Sequence, residues 1–331
     1  MTRTAVIGVG SMGKNHARVY TEIPESEFVG VADENHEVAQ AVASRFGVKA
    51  YSDFTEMLEK EKPEAITIAV PTAMHEEVAL QALEAGVNIL IEKPIAATLD
   101  EAERIIAKAR DTKSVLMVGH IVRFNSAIQA LKEKLEKGEL GRIYQIFCRR
   151  AGPFPQRIRD VGVVIDLAPH DVDIMRFLTD SDPVRLYAET EQRIHTEHED
   201  LLFGTLYFED GVTGALEINW LTPTKIREVL VLGERGLFKV DDLTQDLYFY
   251  ENSQASSELW HGLKMLKGVS EGGMVRYPIN RYEPLKAELE SFLQAVRGEI
   301  KVPVSGEDGL AALKISMALV ESGIKNEVMK F

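Results

Sequence analysis

The stretch TAVIGVGSMGKNHARVY, residues 4–20, passes from an apolar β-branched run through a glycine-rich turn into a helical pattern. Gly8, Gly10 and Gly13 give the spacing G-x-G-x-x-G between the predicted strand and the predicted helix. In dinucleotide-binding folds such glycines allow a tight turn, close approach of the backbone to a pyrophosphate, and close packing of helix on strand. Glycines that serve only a turn are the alternative. The flanking strand and helix favour a dinucleotide site, with the pyrophosphate at the helix N-terminus.

A carboxylate follows at the place where such a site needs one. Asp33 lies twenty residues beyond Gly13, at the end of the second predicted strand. It would accept hydrogen bonds from the adenosine ribose hydroxyls and repel a 2′-phosphate. Residues 34–36, Glu-Asn-His, supply no Arg or Lys to neutralise such a phosphate. The sequence therefore predicts NAD as the cofactor in preference to NADP.

The composition describes a chain with enough apolar residues for two cores. The 331 residues, 45% of them hydrophobic, suggest two domains, which we place at residues 1–121 and 122–331. No run of about 18 uncharged apolar residues occurs and the N-terminus lacks a signal-peptide pattern, so we expect no membrane association and a cytoplasmic location.

The cysteine count and the net charge argue against several classes of protein, namely disulfide-rich, zinc-binding and nucleic-acid-binding ones. The single cysteine, Cys148, leaves no internal disulfide framework and no cysteine-rich zinc site, and we predict no metal. The 38 Lys and Arg against 52 Asp and Glu give a net charge of −14. Sequence-independent binding to nucleic acid is therefore not expected, and any anionic ligand needs a local basic site.

The chain changes its pattern near residue 120. Before it, five short β-branched runs alternate with helical segments, which is typical of βαβ units and a parallel sheet. After it, residues 166–178 have a helical pattern, and longer alternating runs over 200–220 and 227–251 predict an antiparallel sheet. Residues 252–275 predict a long loop, and two helices over 283–298 and 306–326 close the chain. The fold class is α/β.

The stretch VNILIEKPIA, residues 87–96, ends a buried strand on Glu92, Lys93 and Pro94. A lysine at a strand end is most often a solvated tip whose stem lies along apolar surface. In a doubly wound sheet, however, ligands bind beyond the carboxyl ends of the strands. Pro94 restricts Lys93 to extended geometry and stops the strand. We therefore expect Lys93 to point toward the nicotinamide crevice.

Asp166 and His170 are four residues apart on a predicted helix, so they share a face, and Asp173 lies beside them. Pro169 would fall in the first turn if the helix begins near Asp166. Oxidation of a secondary alcohol needs a base for the hydroxyl proton and a charge that stabilises the alkoxide. A histidine suits the first task and an ammonium, such as that of Lys93, the second. A structural Asp/His pair is the alternative, which the spacing alone does not exclude.

Four stretches together carry a family resemblance. They are GVGSMG (8–13), AVPTAMHEEVALQALEAGVNILIEKPIA (69–96), GHIVRFN (119–125) and GVVIDLAPHDVDIM (162–175). With them the chain resembles the Gfo/Idh/MocA family of NAD(P)-dependent sugar and polyol oxidoreductases over essentially its whole length. The resemblance implies an N-terminal Rossmann domain and a C-terminal α/β domain with a large open, mostly antiparallel sheet. That sheet often serves oligomer contacts in the family, so we expect a homodimer or homotetramer.

The resemblance, the glycine fingerprint and the arginine-rich segment described below together predict a set of site residues. The catalytic residues would be Lys93, Asp166 and His170. The cofactor-binding residues would be Gly8, Gly10, Ser11, Met12, Gly13, Asp33, Pro71, Thr72, His75, Glu92 and Lys93. The substrate-binding residues would be His120, Arg123, Asn125, Arg157, Arg159, Asp166 and His170. The loop after the fourth strand reads Val70-Pro71-Thr72 where many members have Thr-Pro, so the contacts to the nicotinamide can differ here.

The segment RIYQIFCRRAGPFPQRIR, residues 142–159, holds five arginines and no acidic residue. Arginines suit bidentate contacts to phosphate, so a substrate with a diphosphate is one interpretation; arginines that pair with acidic neighbours across the sheet are the other. Residues 152–175 also resemble the subgroup of UDP-N-acetylglucosamine 3-dehydrogenases. Three hypotheses stand: oxidation of that sugar nucleotide at C3, oxidation of a polyol such as myo-inositol, and a non-catalytic ligand sensor.

The remaining histidines give weaker signals. The stretch HTEHED, residues 195–200, could suggest a metal site, but a third ligand group is not identifiable and an exposed polar approach to a strand is favoured. His75 and His120 lie on predicted loops that face the crevice. His16, on the first helix, is assigned to packing.

Overall fold

The structure is a computed structural model that describes residues 1–155, 161–194, 197–254 and 269–331. The chain forms two compact units, each with its own sheet. The first consists of Met1–Phe124 and Tyr282–Ile315, and the second of Asn125–Arg281 and Ser316–Phe331. A late segment of the chain thus returns to the first unit. The domain boundary that we placed between residues 121 and 122 stays a prediction.

The first part of the chain alternates strands and helices. The elements are β1 (Thr2–Ile7), α1 (Ser11–Glu22), β2 (Ser26–Ala32), α2 (His36–Phe46), β3 (Lys49–Tyr51), α3 (Phe54–Glu61), β4 (Ala65–Ile68), α4 (His75–Glu84), β5 (Asn88–Glu92), α5 (Leu99–Thr112) and β6 (Leu116–Gly119). Short 3₁₀ turns at Thr72–Met74 and Ile121–Phe124 follow β4 and β6. The strands form a parallel sheet in the order β3-β2-β1-β4-β5-β6, which confirms the predicted Rossmann topology.

The second part is dominated by long strands. Its elements are α6 (Ser126–Glu136), β7 (Ile143–Pro153), α7 (Val163–Thr179), β8 (Pro183–Glu191), β9 (Leu201–Phe208), β10 (Thr213–Asn219), β11 (Leu221–Gly233), β12 (Gly236–Asp241), β13 (Asp246–Gln254), β14 (Val269–Tyr277), α8 (Pro284–Val296), α9 (Gly306–Lys325) and β15 (Met329–Lys330). The described strands form a sheet in the order β14-β13-β12-β11-β7-β10-β9-β8-β15. Of these pairs only β7 with β10 is parallel, so the predicted large, mostly antiparallel sheet is confirmed.

The predicted loop over 252–275 is wrong at both ends, because β13 continues to Gln254 and β14 covers the last residues of the loop. β14 begins at Val269 and pairs with β13, although its sequence VSEGGMVRY contains two adjacent glycines and little alternation. Pairing with a neighbouring strand supplies the backbone hydrogen bonds that the side-chain pattern does not predict. Residues 255–268 lie outside the described residues.

The two faces of the second sheet differ. Helices α6 and α7 pack on one face, which carries buried residues such as Ile146, Cys148 and Val229. The other face presents exposed large side chains that the strand register aligns in one row, Tyr207, Leu232, Tyr250 and Met274. This open face is the apolar surface of the second unit.

The glycine loop joins β1 to α1 where β1 lies beside β4. Gly8 has a φ of +83°, and a Cβ there would lie 2.7 Å from the peptide between Ala69 and Val70. A Cβ on Gly13 would lie 1.8 Å from the carbonyl oxygen of Gly8. A Cβ on Gly10 would meet nothing within 4 Å. Gly8 and Gly13 are thus required by packing, whereas Gly10 faces open space.

We expect Gly13→Ala to lower the free energy of unfolding by about 1–3 kcal/mol, because the added methyl group forces α1 away from the loop. Gly10→Ala is the matched control and should change stability by less than about 0.5 kcal/mol, since its methyl group has room. Urea unfolding followed by circular dichroism, without cofactor, measures both. Equal losses in the two variants would contradict this account of the loop.

Candidate active site

The carboxyl edge of the first sheet begins with the glycine loop and Asp33. The backbone N–H of Val9 donates to Oδ2 of Asp33 at 2.8 Å, and that of Asn35 donates to Oδ1 at 3.0 Å. Asp33 therefore ties the end of β2 to the glycine loop. Helix α1 has neither a side-chain cap nor an acidic residue in its first turn, where Ser11 and Met12 lie. Free N–H groups beside the open position of Gly10 fit a dinucleotide pyrophosphate.

The loop after β4 lies at the same edge and holds Pro71 and Thr72, whereas His75, predicted on a loop, is the first residue of α4. His75 is 1% exposed, with Nδ1 2.9 Å from the carbonyl oxygen of Pro94 and Nε2 3.0 Å from that of Val70. Burial lowers the pKa of His75, although the two carbonyls oppose that change. His75 thus joins the loop after β4 to the residue after Lys93. Direct contact of His75 with the cofactor stays a prediction.

Glu92, the last residue of β5, has a partner on the dinucleotide helix. The Nε2 atom of His16, which is fully buried, lies 2.8 Å from Oε1 of Glu92. Burial opposes ionisation of Glu92, but the hydrogen bond to His16 and the charges of His16 and Lys93 outweigh it and hold the pKa of Glu92 below its ordinary value. The sequence assigned His16 to packing. A carboxylate at the end of a buried strand was the signal that such a partner exists.

Lys93 lies at the predicted edge. It is half-buried, follows β5 directly, and precedes Pro94 through a cis peptide bond. Because β5 is parallel to β4 and β4 to β1, Lys93 emerges on the same edge as the glycine loop. The structure therefore brings the predicted lysine and the predicted cofactor loop to one edge of one sheet.

Glu288 on α8 is a buried acid in the same unit. It is 0% exposed, and neither carboxyl oxygen has a hydrogen-bond partner in the described part of the chain. Burial, together with the charge of Glu92, raises the pKa of Glu288 well above its ordinary value. Nothing in the sequence marks Glu288 as unusual, because a Glu on an amphipathic helix is usually solvated.

Two of the predicted substrate-binding residues around residue 120, Arg123 and Asn125, make contacts within the protein itself. His120, Arg123 and Asn125 are all buried. Arg123 pairs with Asp308 at 3.2 Å and donates to the carbonyl oxygen of Pro303 at 3.1 Å. Within the second unit, the side-chain oxygen of Asn125 caps α6 by accepting from the N–H of Ala127 at 2.9 Å. These contacts support the backbone, and substrate contact by the three residues stays a prediction.

Helix α7 carries Asp166 and His170 on one face, as predicted, and both are half-buried. Asp173, one turn further, is fully buried. The helix begins at Val163 rather than near Asp166, so the expected place of Pro169 in the first turn is wrong. Pro169 lies inside the helix, and its missing N–H leaves the carbonyl of Ile165 without the usual helical donor.

The N-terminus of α7 is held by a residue that sequence analysis missed. The N–H of Val163 donates to the carbonyl oxygen of Glu199 at 2.9 Å, and the N–H of Val164 donates to Oε1 of Glu199 at 3.2 Å. A Cβ on Gly162 would lie 2.0 Å from that Oε1 atom. Glu199 thus caps the helix that carries the Asp/His pair. Its neighbour Asp200, fully buried, accepts from the N–H of Arg193 at 2.9 Å.

The arginine-rich segment is partly paired within the protein. Arg149 pairs with Glu217 on β10 at 2.9 Å, and Arg150 pairs with Asp171 on α7 at 2.8 Å. The interpretation that arginines of this segment pair with acidic neighbours across the sheet is confirmed for Arg149, whereas the partner of Arg150 lies on a helix. Arg157 and Arg159, predicted to bind substrate, lie outside the described residues, as does His195 of the histidine-rich stretch.

The described residues contain neither a metal-binding cluster nor a membrane-spanning helix. Among residues 1–155, 161–194, 197–254 and 269–331, no group of three or more His, Cys, Asp or Glu side chains is placed to hold a metal ion. In the same part of the chain, every helix is too short or too polar to cross a bilayer.

Comparison with protein families assigns both parts of the chain. Residues 2–120 match the model of the oxidoreductase family with an NAD-binding Rossmann fold, and residues 128–239 match the GFO/IDH/MocA C-terminal domain. UDP-N-acetylglucosamine 3-dehydrogenase of Acidithiobacillus ferrooxidans is 30% identical over 321 residues, which cover 96% of this chain and 97% of that protein. Myo-inositol 2-dehydrogenase of Thermotoga maritima is 24% identical, over 97% of this chain and 96% of that protein.

Solved structures agree with this assignment. The Acidithiobacillus ferrooxidans enzyme superposes with a TM-score of 0.85 at 30% identity, over 97% of each chain. The WlbA dehydrogenase of Bordetella pertussis, solved with NADH and UDP-GlcNAcA, has the same fold, with a TM-score of 0.80 at 22% identity over 100% of this chain and 98% of that one. This chain therefore belongs to the GFO/IDH/MocA oxidoreductase family and has its NAD-binding Rossmann fold.

Proposed function

We propose that the protein oxidises a secondary alcohol on a sugar ring with NAD, and that its substrate is UDP-N-acetylglucosamine, oxidised at C3 to the 3-keto sugar. The observation that supports the chemistry best is that Lys93 shares the carboxyl edge of the Rossmann sheet with the open glycine loop. A non-catalytic sensor would have no need of a lysine at that edge and of the Asp166/His170 pair as well.

Three residues divide the work of the reaction in this proposal. His170 accepts the hydroxyl proton as the carbon is oxidised. The ammonium of Lys93 polarises and orients the hydroxyl and stabilises the developing alkoxide. Asp166, one turn before His170 on α7, orients the imidazole or the substrate. His75 and His16 are positioning residues. They hydrogen-bond to Pro94 and Glu92, the residues on either side of Lys93.

The cofactor would be held by the glycine loop and its neighbours. A bound NAD supplies the hydride acceptor. Gly10 leaves room for the pyrophosphate and the first turn of α1 offers N–H donors, with Ser11, Met12 and Gly13 in that turn. Asp33 keeps lone pairs for the ribose hydroxyls beyond those used by Val9 and Asn35. Its charge supports a preference for NAD over NADP, since a 2′-phosphate would be repelled.

The choice of substrate is supported by the relative that is 30% identical over nearly the whole of both chains. A polyol such as myo-inositol is the second candidate, since inositol dehydrogenases of 24–26% identity also match this chain over 97% of its length. The first candidate carries two phosphates and the second carries none. A basic site for phosphate therefore discriminates between them.

We propose that the open face of the second sheet binds another copy of this chain, to give a homodimer or homotetramer. The exposed row of Tyr207, Leu232, Tyr250 and Met274 is an apolar surface of the kind that marks protein interfaces. A second copy bound there would cover the sheet face on which α6 and α7 do not pack.

With purified protein, NAD and UDP-N-acetylglucosamine, we expect NADH formation at 340 nm. Free N-acetylglucosamine and myo-inositol should give kcat/KM values at least about 100-fold lower, because they lack the diphosphate that contributes binding energy. NADP should be about 10- to 100-fold poorer than NAD, owing to repulsion by Asp33.

Other outcomes of this assay are equally informative. Equal rates with the free sugar would refute a role for the diphosphate, and selective oxidation of inositol would establish the polyol alternative. If NAD binds, as seen by fluorescence titration with NADH, but no sugar or polyol is oxidised, the sensor hypothesis is the correct one.

Lys93→Met should lower turnover by roughly 10²- to 10⁴-fold, the loss typical of removing an acid-base or electrostatic group, while NADH binding survives. The control is Lys301→Met, which removes an exposed lysine from the same unit. Steady-state kinetics and NADH fluorescence separate the two effects. Near-normal turnover in the Lys93 variant would refute the assignment.

Sedimentation velocity should find the wild-type chain as a dimer or tetramer at micromolar concentration. Leu232→Glu, which places a charge in the exposed row, should shift it toward smaller species. Leu243→Glu is the control, because Leu243 is 53% exposed in the turn between β12 and β13 and lies off that row. A wild-type monomer would exclude the proposed interface.

A further inference from the structure

Two arginines face each other on the helix-covered side of the second sheet. In the antiparallel register of β7 with β11, Arg150 lies directly opposite Arg227. Like charges directly opposite one another destabilise a strand pair. Such a pair therefore requires compensating charges, either from the protein or from a ligand.

Among the residues that the structure describes, carboxylates compensate the charge of Arg150 but not that of Arg227. Arg150 donates from Nε to both carboxylate oxygens of Asp171, at 2.9 and 3.0 Å, and its Nη1 lies 3.7 Å from Asp242. Arg227 donates from Nη1 to the carbonyl oxygens of Ala151 and Ile226, at 2.6 and 2.7 Å. Within the described part of the chain, Arg227 has no carboxylate at ion-pair distance. Its described hydrogen bonds leave the donors on Nε and Nη2 unused.

The electrostatic surroundings of Arg227 agree with this asymmetry. Burial and the charge of Arg150 lower the pKa of Arg227 below that of an ordinary arginine. The carboxylates of Asp171, Asp242 and Asp166 oppose that change but do not reverse it. Arg227 is thus a half-buried cation whose charge is not neutralised by a carboxylate at ion-pair distance among the described residues. Asp166, a residue of the proposed catalytic set, is close enough to act on it.

A bulge in β11 brings a second cation to the same place. The register passes from Leu221 opposite Pro153 to Ile226 opposite Ala151, so that residues 222–225 face the single residue Gly152. A Cβ on Gly152 would lie 3.5 Å from Cγ of Lys225 and 3.9 Å from Nη1 of Arg227. Lys225 is exposed and has no ion pair among the residues that the structure describes. Bulges of this kind re-aim side chains beside functional sites.

We propose that Arg227, with Lys225 beside it, binds the diphosphate of a nucleotide-sugar substrate. This inference rests on the proposed function, because it assigns the anionic part of that substrate to two residues. The planar guanidinium presents paired N–H donors that match phosphate oxygens, and the lysine adds a second positive charge. Gly152 leaves the space between them free of a side chain.

Calorimetric titration of UDP into the full-length protein, saturated with NAD so that the dinucleotide site is closed to UDP, tests the proposal without turnover. Arg227→Gln should weaken UDP binding about 10- to 100-fold, the effect of losing a charge-assisted phosphate contact. Arg227→Lys should restore part of the loss, and Lys225→Ala, at an exposed position, should weaken binding several-fold. Arg185→Gln removes a positive charge from the opposite face of the sheet and should leave binding unchanged.

Kinetics separate this proposal from the proposed function. If UDP-N-acetylglucosamine is oxidised, its KM should rise in the Arg227 and Lys225 variants with a smaller change in kcat. Oxidation with an unchanged KM in both variants would overturn the anion site and leave the proposed function intact. UDP binding that depends on Arg227 without oxidation of UDP-N-acetylglucosamine would retain the anion site and refute that substrate. Failure of the wild type to bind UDP would overturn the anion site, and so would equal binding by the wild type and both variants.

Discussion

The contact of Gly8 with the peptide between Ala69 and Val70 is the constraint on which the first unit depends. It requires β1 and β4 to end side by side and leaves no room for a side chain on Gly8, whose carbonyl oxygen in turn leaves none on Gly13. Parallel pairing then places the end of β5 next to the end of β4. The glycine loop and Lys93 consequently share one edge, because the pairing of the parallel strands brings the ends of β1, β4 and β5 together.

Buried charges hold the elements that carry the proposed catalytic residues. His16 with Glu92 fixes the end of β5 against α1, and Arg150 with Asp171 fixes α7 against β7. A buried ion pair gains little net stability over an apolar pair, but loss of one partner leaves a costly uncompensated charge. The main effect of these pairs is therefore to fix the position of each element, and their contribution to the stability of the fold is small. In both cases the paired acid is the immediate neighbour of a proposed catalytic residue.

Much of the fold could be predicted because each signal was local. The glycine spacing and the β-branched runs both lie within a few residues of the elements that they determine. The prediction was wrong where a contact distant in sequence decides the structure. β14 exists because β13 pairs with it, and α7 begins at Val163 because Glu199, which follows it by 36 residues, caps it. Arg227 escaped notice for the same reason, since only the strand register places it opposite Arg150.

The return of Tyr282–Ile315 to the first unit determines the order in which the protein is completed. Leu285, Leu289 and Phe292 of α8 belong to the same hydrophobic core as the strands β1 to β6. A ribosome delivers these residues only after it has synthesised Asn125–Arg281 of the second unit. A nascent chain that ends near residue 121 therefore exposes the apolar surface that α8 later covers. The docking of Tyr282–Ile315 therefore completes the core of the first unit late in synthesis.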